Sequence, residues 1–349
     1  MTASKHNFSK TLITWQKEHG RHDMAWQIRD PYARWISEIM LQQTQVATVR
    51  EYYDRFIARF PSVESLAAAK LDEVMQLWAG LGYYTRARNL HMAAQVIVSD
   101  WQGKFKHFRA DWEALPGIGR STAAAIVAFS FGAKETILDG NVKRVLMRYF
   151  AIQATTDDAA VVKKLWTLAE SLLPNEDIEA YIQGLMDLGA TVCTRVPACD
   201  KCPFNADCMA LAIGKEREIP FPKMRRERPL KHAVFFLIWD DDAVFLQKRN
   251  QKGVWQGLFS LPQNDGECSA DDCEDLVRSW GFDVRNTREL PDIAHDFSHY
   301  RLLMHPIAVR VRARTCKIDG QWFDAQELDL IGMPAPVQTL LTEFFAHSL

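Results

Sequence analysis

Residues 115–132 read LPGIGRSTAAAIVAFSFG, and this stretch decides how the chain around it folds. Gly117 and Gly119 make a turn in which backbone can approach an anion closely. The apolar, alanine-rich run from about Ser121 reads as a buried helix stopped by Gly132. A helix entered from such a turn offers its unsatisfied N–H groups to whatever lies above it. With Pro116 ahead and Arg120 beside it, the turn suits a DNA phosphate. On the residues alone, a bare helix–helix connection is an equally good reading.

Outward from this hairpin, at about 108–132, helices are expected up to residue 213. Asp30-Pro31 is an N-cap and first-turn pair that opens a helix through WISEIMLQQTQV. Val142, Val145, Leu146 and Tyr149 form a core-facing stripe, with Lys143, Arg144 and Arg148 off it. Residues 214–231, GKEREIPFPKMRRERPLK, are charged, carry three prolines and lack helical period, as an interdomain linker would. After them, AVFFLIW and AVFLQKR read as strands around the acidic turn 240–242. HYRLLMHPIAVRVRA is extended, and APVQTLLTEFFAHSL closes as an amphipathic helix. The expected architecture is an all-α domain over 1–213 and an α+β domain over 232–349.

The bulk numbers agree. A chain of 349 residues has room for two cores, and 48% hydrophobic with 25% charged residues is ordinary for a globular protein. A net charge of −2 excludes a globally basic nucleic-acid binder, so any such surface is a local patch. With no apolar leader and no run of about 18 apolar residues, a cytoplasmic protein without membrane contact is expected.

Seven cysteines is an odd number and argues against a disulfide framework. Cys268, Cys273 and Cys316 read as ordinary thiols. Cys193, Cys199, Cys202 and Cys208 form C-x5-C-x2-C-x5-C, four soft donors in one short loop. An iron–sulfur cluster accepts such irregular spacing, whereas structural zinc more often uses two separated C-x2-C knuckles. Spacing leaves both open, with plain buried cysteines a third reading.

Two carboxylates carry the chemistry. Asp139, in ILDGNVKRV, sits before a helix, where it is a favoured N-cap; Asn141 is a second candidate. A helix N-terminus also favours an ionised carboxylate, which suits a group that stabilises a cation. Glu38 lies among Trp35, Ile36, Ile39 and Met40, and burial there would raise its pKa and make it a proton donor. Yet Glu38, Gln42 and Gln45 recur as a solvated polar face would, and on the residues alone that is the simpler reading. An acid and an anion together suit glycosidic-bond cleavage, by analogy with glycoside hydrolases.

These motifs, with LWAGLGYYTRARNL and MDLGATVCTR, resemble the adenine DNA glycosylase (MutY) family of the helix-hairpin-helix DNA glycosylase superfamily, over nearly the whole chain. The resemblance implies an enzyme, acting as a monomer, that removes adenine mispaired with 8-oxoguanine or guanine in duplex DNA and so starts base excision repair. It implies Glu38 as the group that protonates adenine and Asp139 as the stabiliser of the sugar cation. Gln42 and Tyr83 would enter the duplex, and Trp26 and Gln183 are candidates for the adenine pocket. The four cysteines would hold a [4Fe–4S] cluster. The 232–349 domain would be Nudix-like, reading 8-oxoguanine through Phe297, Ser298 and His299, since no Glu-rich metal-binding helix follows Gly257. Strand-cutting relatives carry lysine where this chain has Ser121, so base removal without strand cleavage is expected, with Lys143 a nearby amine. Five residues rather than the family's usual six separate the first two cysteines, and only Arg195 there is basic, so weaker DNA affinity is expected. The alternatives are an endonuclease III-like pyrimidine glycosylase with lyase activity and a DNA-binding module without catalysis.

Overall fold

Asp30 does cap a helix: its side chain accepts a 3.0 Å hydrogen bond from Ala33 N, and Pro31 fills the first turn. The structure is a computed structural model and describes residues 2–223, 227–240, 242–266 and 269–346. Its first helices are α1 (Thr2–His19), α2 (Pro31–Leu41), α3 (Val46–Arg59), α4 (Val63–Ala68), α5 (Leu71–Leu77) and α6 (Thr85–Asp100). There follow α7 (Arg109–Glu113), α8 (Arg120–Phe131), α9 (Gly140–Tyr149), α10 (Ala159–Leu172), α11 (Ile178–Asp187) and α12 (Met209–Ala212). The chain forms two compact units, one of residues 1–67 and 92–225, the other of 68–91 and 226–349.

In the first unit the alanines of α8 let other helices pack close. Ala124, Ala125 and Ala128 share a core with Phe8 and Leu12 of α1, Val142, Val145 and Leu146 of α9, and Tyr181 and Ile182 of α11. Gly132 ends α8 in the left-handed region, φ 68°, as its position predicted. One expectation fails. The helix expected through Gln45 stops at Leu41, because Gln43 takes a positive φ of 59° and α3 starts afresh at Val46. Glu38 and Gln45 therefore share no helix face.

The second unit is built on a mixed sheet of β1 (Leu230–Trp239), β2 (Ala243–Lys248), β3 (Phe259–Ser260), β4 (Gln263–Asp265), β5 (Val284–Glu289), β6 (Ile293–Asp296), β7 (Arg301–Val311) and β8 (Gln321–Asp324). Its path runs β3-β2-β1-β7-β5, with β4 on β1, β6 on β7 and β8 on β2. Among the described residues only the long central pair β1 and β7 is parallel, from Leu230↔Arg301 to Trp239↔Arg310; the other pairings are antiparallel. Helices α13 (Ala270–Ser279) and α14 (Ala335–Ala346) complete this α+β unit. Val277 of α13 joins Phe236, Ile238, Val309 and Val311 in its core. Residues 68–91 pack here: Tyr84 donates to the Met333 carbonyl at 3.4 Å, and Arg88 donates to the Gln256 carbonyl. Cys273 is disulfide-bonded rather than an ordinary thiol. An odd cysteine count excludes complete pairing but not a single bridge. Cys316 is a free thiol, and Cys268 lies outside the described residues.

Candidate active site

Glu38 projects from a helix whose neighbours Trp35, Ile36 and Ile39 are buried to 2% exposure or less. Its own side chain is 13% exposed, so the solvated-face reading is wrong. Burial pushes its carboxyl up to about 7, Arg34 pulls it back, and the Asp139 charge adds to the rise. The two carboxylates are thus electrostatically coupled in one low-dielectric site.

Asp139 is the N-cap of α9 and accepts from Val142 N at 2.7 Å. Burial pushes this carboxyl above its ordinary value, against the backbone N–H groups of Val142 and Asn141, the Arg144 charge and the Asn141 side chain. The expected downward shift is corrected, because desolvation outweighs the helix terminus. Chemically the group is no less suited to a cation. An anion short of solvation gains more from a positive charge arriving beside it than one already satisfied by water.

The hairpin turn joins these groups. Gly117 requires its positive φ of 77°, while a Cβ at Gly119 would meet no described atom within 4 Å. Packing therefore does not demand glycine at 119, and an approaching backbone anion would find it open. Ser121 Oγ accepts a 3.0 Å hydrogen bond from Leu138 N, tying the start of α8 to the residue before Asp139. Gln42 donates to Thr122 Oγ1 at 3.3 Å and to the Gly117 carbonyl at 3.5 Å, so it leans on the same turn.

Other candidates stand differently. Arg120 pairs with Glu170 and lies 3.9 Å over the Trp166 ring, and Lys143 donates to the Thr156 carbonyl at 3.2 Å. Trp26 is 1% exposed and packs edge-on against Tyr53. Gln183 donates to Asp187 at 2.8 Å, and Arg21 Nε donates to that same buried carboxylate at 2.8 Å. Pro116 and Asn141 are half-buried. In the second unit Tyr83 is 51% exposed with φ 49°. Phe297 packs against Trp255, His295 and Tyr300 at ring separations of 5.1, 4.7 and 4.7 Å, leaving Ser298 and His299 as the exposed members of their loop.

Two arginines that the sequence only marked as off the apolar stripe hold the cysteine loop, and one of them, Arg144, also acts on Asp139. Arg144 donates to Asn141 Oδ1 at 2.8 Å, to the Gly189 carbonyl at 2.7 Å and to the Cys193 carbonyl at 2.8 Å. Arg148 is only 3% exposed and donates to the carbonyls of Ile219, Thr194 and Arg195 and to Cys193 Sγ. Gly189 must lack a side chain, because a Cβ would stand 2.6 Å from Asn141 Cβ. Gly189→Ala is therefore expected to displace Asn141 and slow catalysis by on the order of tenfold to a hundredfold. Single-turnover rates would measure this, and an unchanged rate would show that the backbone absorbs the methyl.

Cys193, Cys199, Cys202 and Cys208 are all unbridged thiols, and all line one cavity beside Arg148 and Asn205. Burial pushes the Cys202 thiol up to about 11 and raises those of Cys199 and Cys208. Four soft donors lining one cavity have the chemistry an iron–sulfur group needs, and ligation would remove these protons. Among the described residues, no group of three His, Cys, Asp or Glu side chains is arranged to hold a metal ion, and no helix is long and apolar enough to cross a membrane.

A helical unit with a glycine hairpin beside two coupled buried carboxylates, followed by a mixed-sheet unit, defines a class. Residues 36–171 match the HhH-GPD superfamily of base excision DNA repair proteins, and residues 233–343 match a NUDIX domain. The chain is 35% identical to the adenine DNA glycosylase of Buchnera aphidicola subsp. Acyrthosiphon pisum, over 98% of each chain. It is 42% identical to the adenine DNA glycosylase of Homo sapiens, over 88% of this chain and 68% of that one. A solved thermostable thymine-DNA glycosylase is 31% identical with a TM-score of 0.55, over 61% of this chain and 99% of that one. The chain belongs to the adenine DNA glycosylase family.

Proposed function

We propose that the protein hydrolyses the N-glycosidic bond of adenine mispaired with 8-oxoguanine or guanine in duplex DNA, acting as a monomer in the cytoplasm to begin base excision repair. The observation that carries the reading is Glu38, a buried carboxyl pushed up to about 7 beside Asp139. At that value Glu38 holds a proton at neutral pH and can still release it. The extruded base would take that proton at N7 and become a better leaving group. Asp139 would face the sugar cation as the bond breaks, and the Glu38 carboxylate would accept a proton from the attacking water. Gln42 and Tyr83 would enter the duplex, and the Gly117–Gly119 turn would meet the phosphate backbone.

Trp26 and Gln183 would support the adenine pocket from behind, given their burial. Ser298 and His299 would read 8-oxoguanine, with Phe297 bracing their loop. Cys193, Cys199, Cys202 and Cys208 would hold a [4Fe–4S] cluster, which supplies a rigid cross-link of the loop. Ser121 has no amine to attack the sugar, and its oxygen is engaged with Leu138 N, so strand cleavage should require alkali. Duplexes with A opposite 8-oxoguanine, A opposite G and an oxidised pyrimidine test the reading. Breaks on the adenine strand only after alkali are expected. Alkali-independent breaks at the pyrimidine would favour a lyase, and binding without breaks would favour a DNA-binding module.

A further inference from the structure

Arg34 lies one turn before Glu38 on α2, with its side chain 5% exposed and its Nη1 3.8 Å from Glu38 Oε1. The guanidinium carbon stands 4.2 Å over the Phe129 ring of α8. Its Nε is buried with no hydrogen-bond partner among the described residues. This is a costly place for a cation, since it gives up hydration and recovers only part through the ring. Burial accordingly lowers its own proton affinity. Helix stability does not explain it either, because arginine four residues before glutamate is the less favourable order along a helix.

What the guanidinium faces explains it better. Glu38 lies on its own helix; among the described residues Tyr53 of α3, Glu179 of α11 and Asp139 at the start of α9 are the other titratable groups that act on the pair. Asp139 and burial both favour the protonated form of Glu38, and Arg34 opposes them. We propose that Arg34 is a positioning residue for Glu38: its guanidinium anchors the carboxyl in the site and stabilises the carboxylate left once the proton has passed to the leaving base. The inference rests on the reading of Glu38 as proton donor. In that step the Glu38 O–H bond breaks, an N–H bond forms on the base, and the negative charge stays on Glu38 opposite Arg34. Without the guanidinium, Glu38 keeps its proton to higher pH and gives it up less readily.

The test uses the full-length protein with Arg34→Met, Arg34→Gln and Arg34→Lys. Single-turnover excision from a duplex with A opposite G is followed across pH. The Glu38 carboxyl is titrated separately by infrared, as the difference from Glu38→Gln. Both neutral variants are expected to lose about tenfold in rate at neutral pH and to move both midpoints up by about one unit, while Lys stays near the parent. Unmoved midpoints in a folded neutral variant overturn the proposal. So does loss of fold in both neutral variants with Lys folded, which would assign Arg34 to packing alone. A moved infrared titration with an unmoved rate profile supports the hold of Arg34 on Glu38 and counts against Glu38 as donor.

Discussion

Glu38→Gln is expected to slow adenine excision by about three orders of magnitude, within the range for losing a general acid, and to leave affinity for the mispaired duplex nearly unchanged. Gln keeps the shape of the side chain and removes its proton chemistry. In the parent protein the rate should fall as pH rises through about 7, the value to which burial pushes the carboxyl, because only the protonated form donates. The stability effect has the opposite benefit for the variant. A carboxyl whose proton affinity is raised by folding costs nothing below its ordinary value of 4.5, destabilises the fold progressively as pH rises from there to about 7, and carries its full penalty above that. Glu38→Gln should therefore melt higher than the parent at alkaline pH, by on the order of 3 kcal/mol, and converge with it in acid. Retained excision would remove Glu38 from the chemistry. Equal melting across pH would show that Glu38 is not desolvated as the structure has it.

Particular residues show what could be read from the chain. Asp30-Pro31, the alanine run and Gly132 each fix backbone through local chemistry, so helix α2 and the hairpin helix were legible. Asp139 was legible as a cap, but not the sign of its shift. That sign depends on how much protein surrounds the carboxyl, which no local pattern records. Glu38 was ambiguous because the i, i+4, i+7 pattern assumes a continuous helix, and Gln43 breaks it. Arg148 was misleading, since off the apolar stripe it should be solvated; it is buried because its partners are carbonyls distant in sequence. Arg34 was visible only as the residue four before Glu38, and its burial comes from α8. Residues 68–91 precede most of the first unit yet pack with the second, through contacts such as Tyr84 with Met333. The tripeptide 297–299 drew its weight from resemblance. The structure adds that Phe297 is held by its aromatic neighbours.

The second large effect is expected from Arg148→Met. Its guanidinium donates to the carbonyls of Ile219 at 2.7 Å, Thr194 at 2.6 Å and Arg195 at 3.2 Å, and to Cys193 Sγ at 3.4 Å. Methionine fills much of the volume and offers no donor. The buried Ile219 carbonyl left unpaired costs about 1–3 kcal/mol and the part-buried carbonyls of Thr194 and Arg195 less, so a loss on the order of 3 kcal/mol is expected, a large share of the stability of an ordinary domain. The loss falls on the loop that carries Cys193, so the thiols proposed to share one cluster are no longer held together. The variant should melt well below the parent and be purified with less iron and acid-labile sulfide. It should also bind duplex DNA more weakly, with a shallower dependence on salt as the loop's contacts are lost. Cys202→Ser should lose iron as well, while Arg148 keeps its carbonyl partners, so its melting temperature should fall by a different amount. If Arg148→Met instead retains full iron content and the parent melting temperature, the thiols alone organise the loop and the arginine is dispensable.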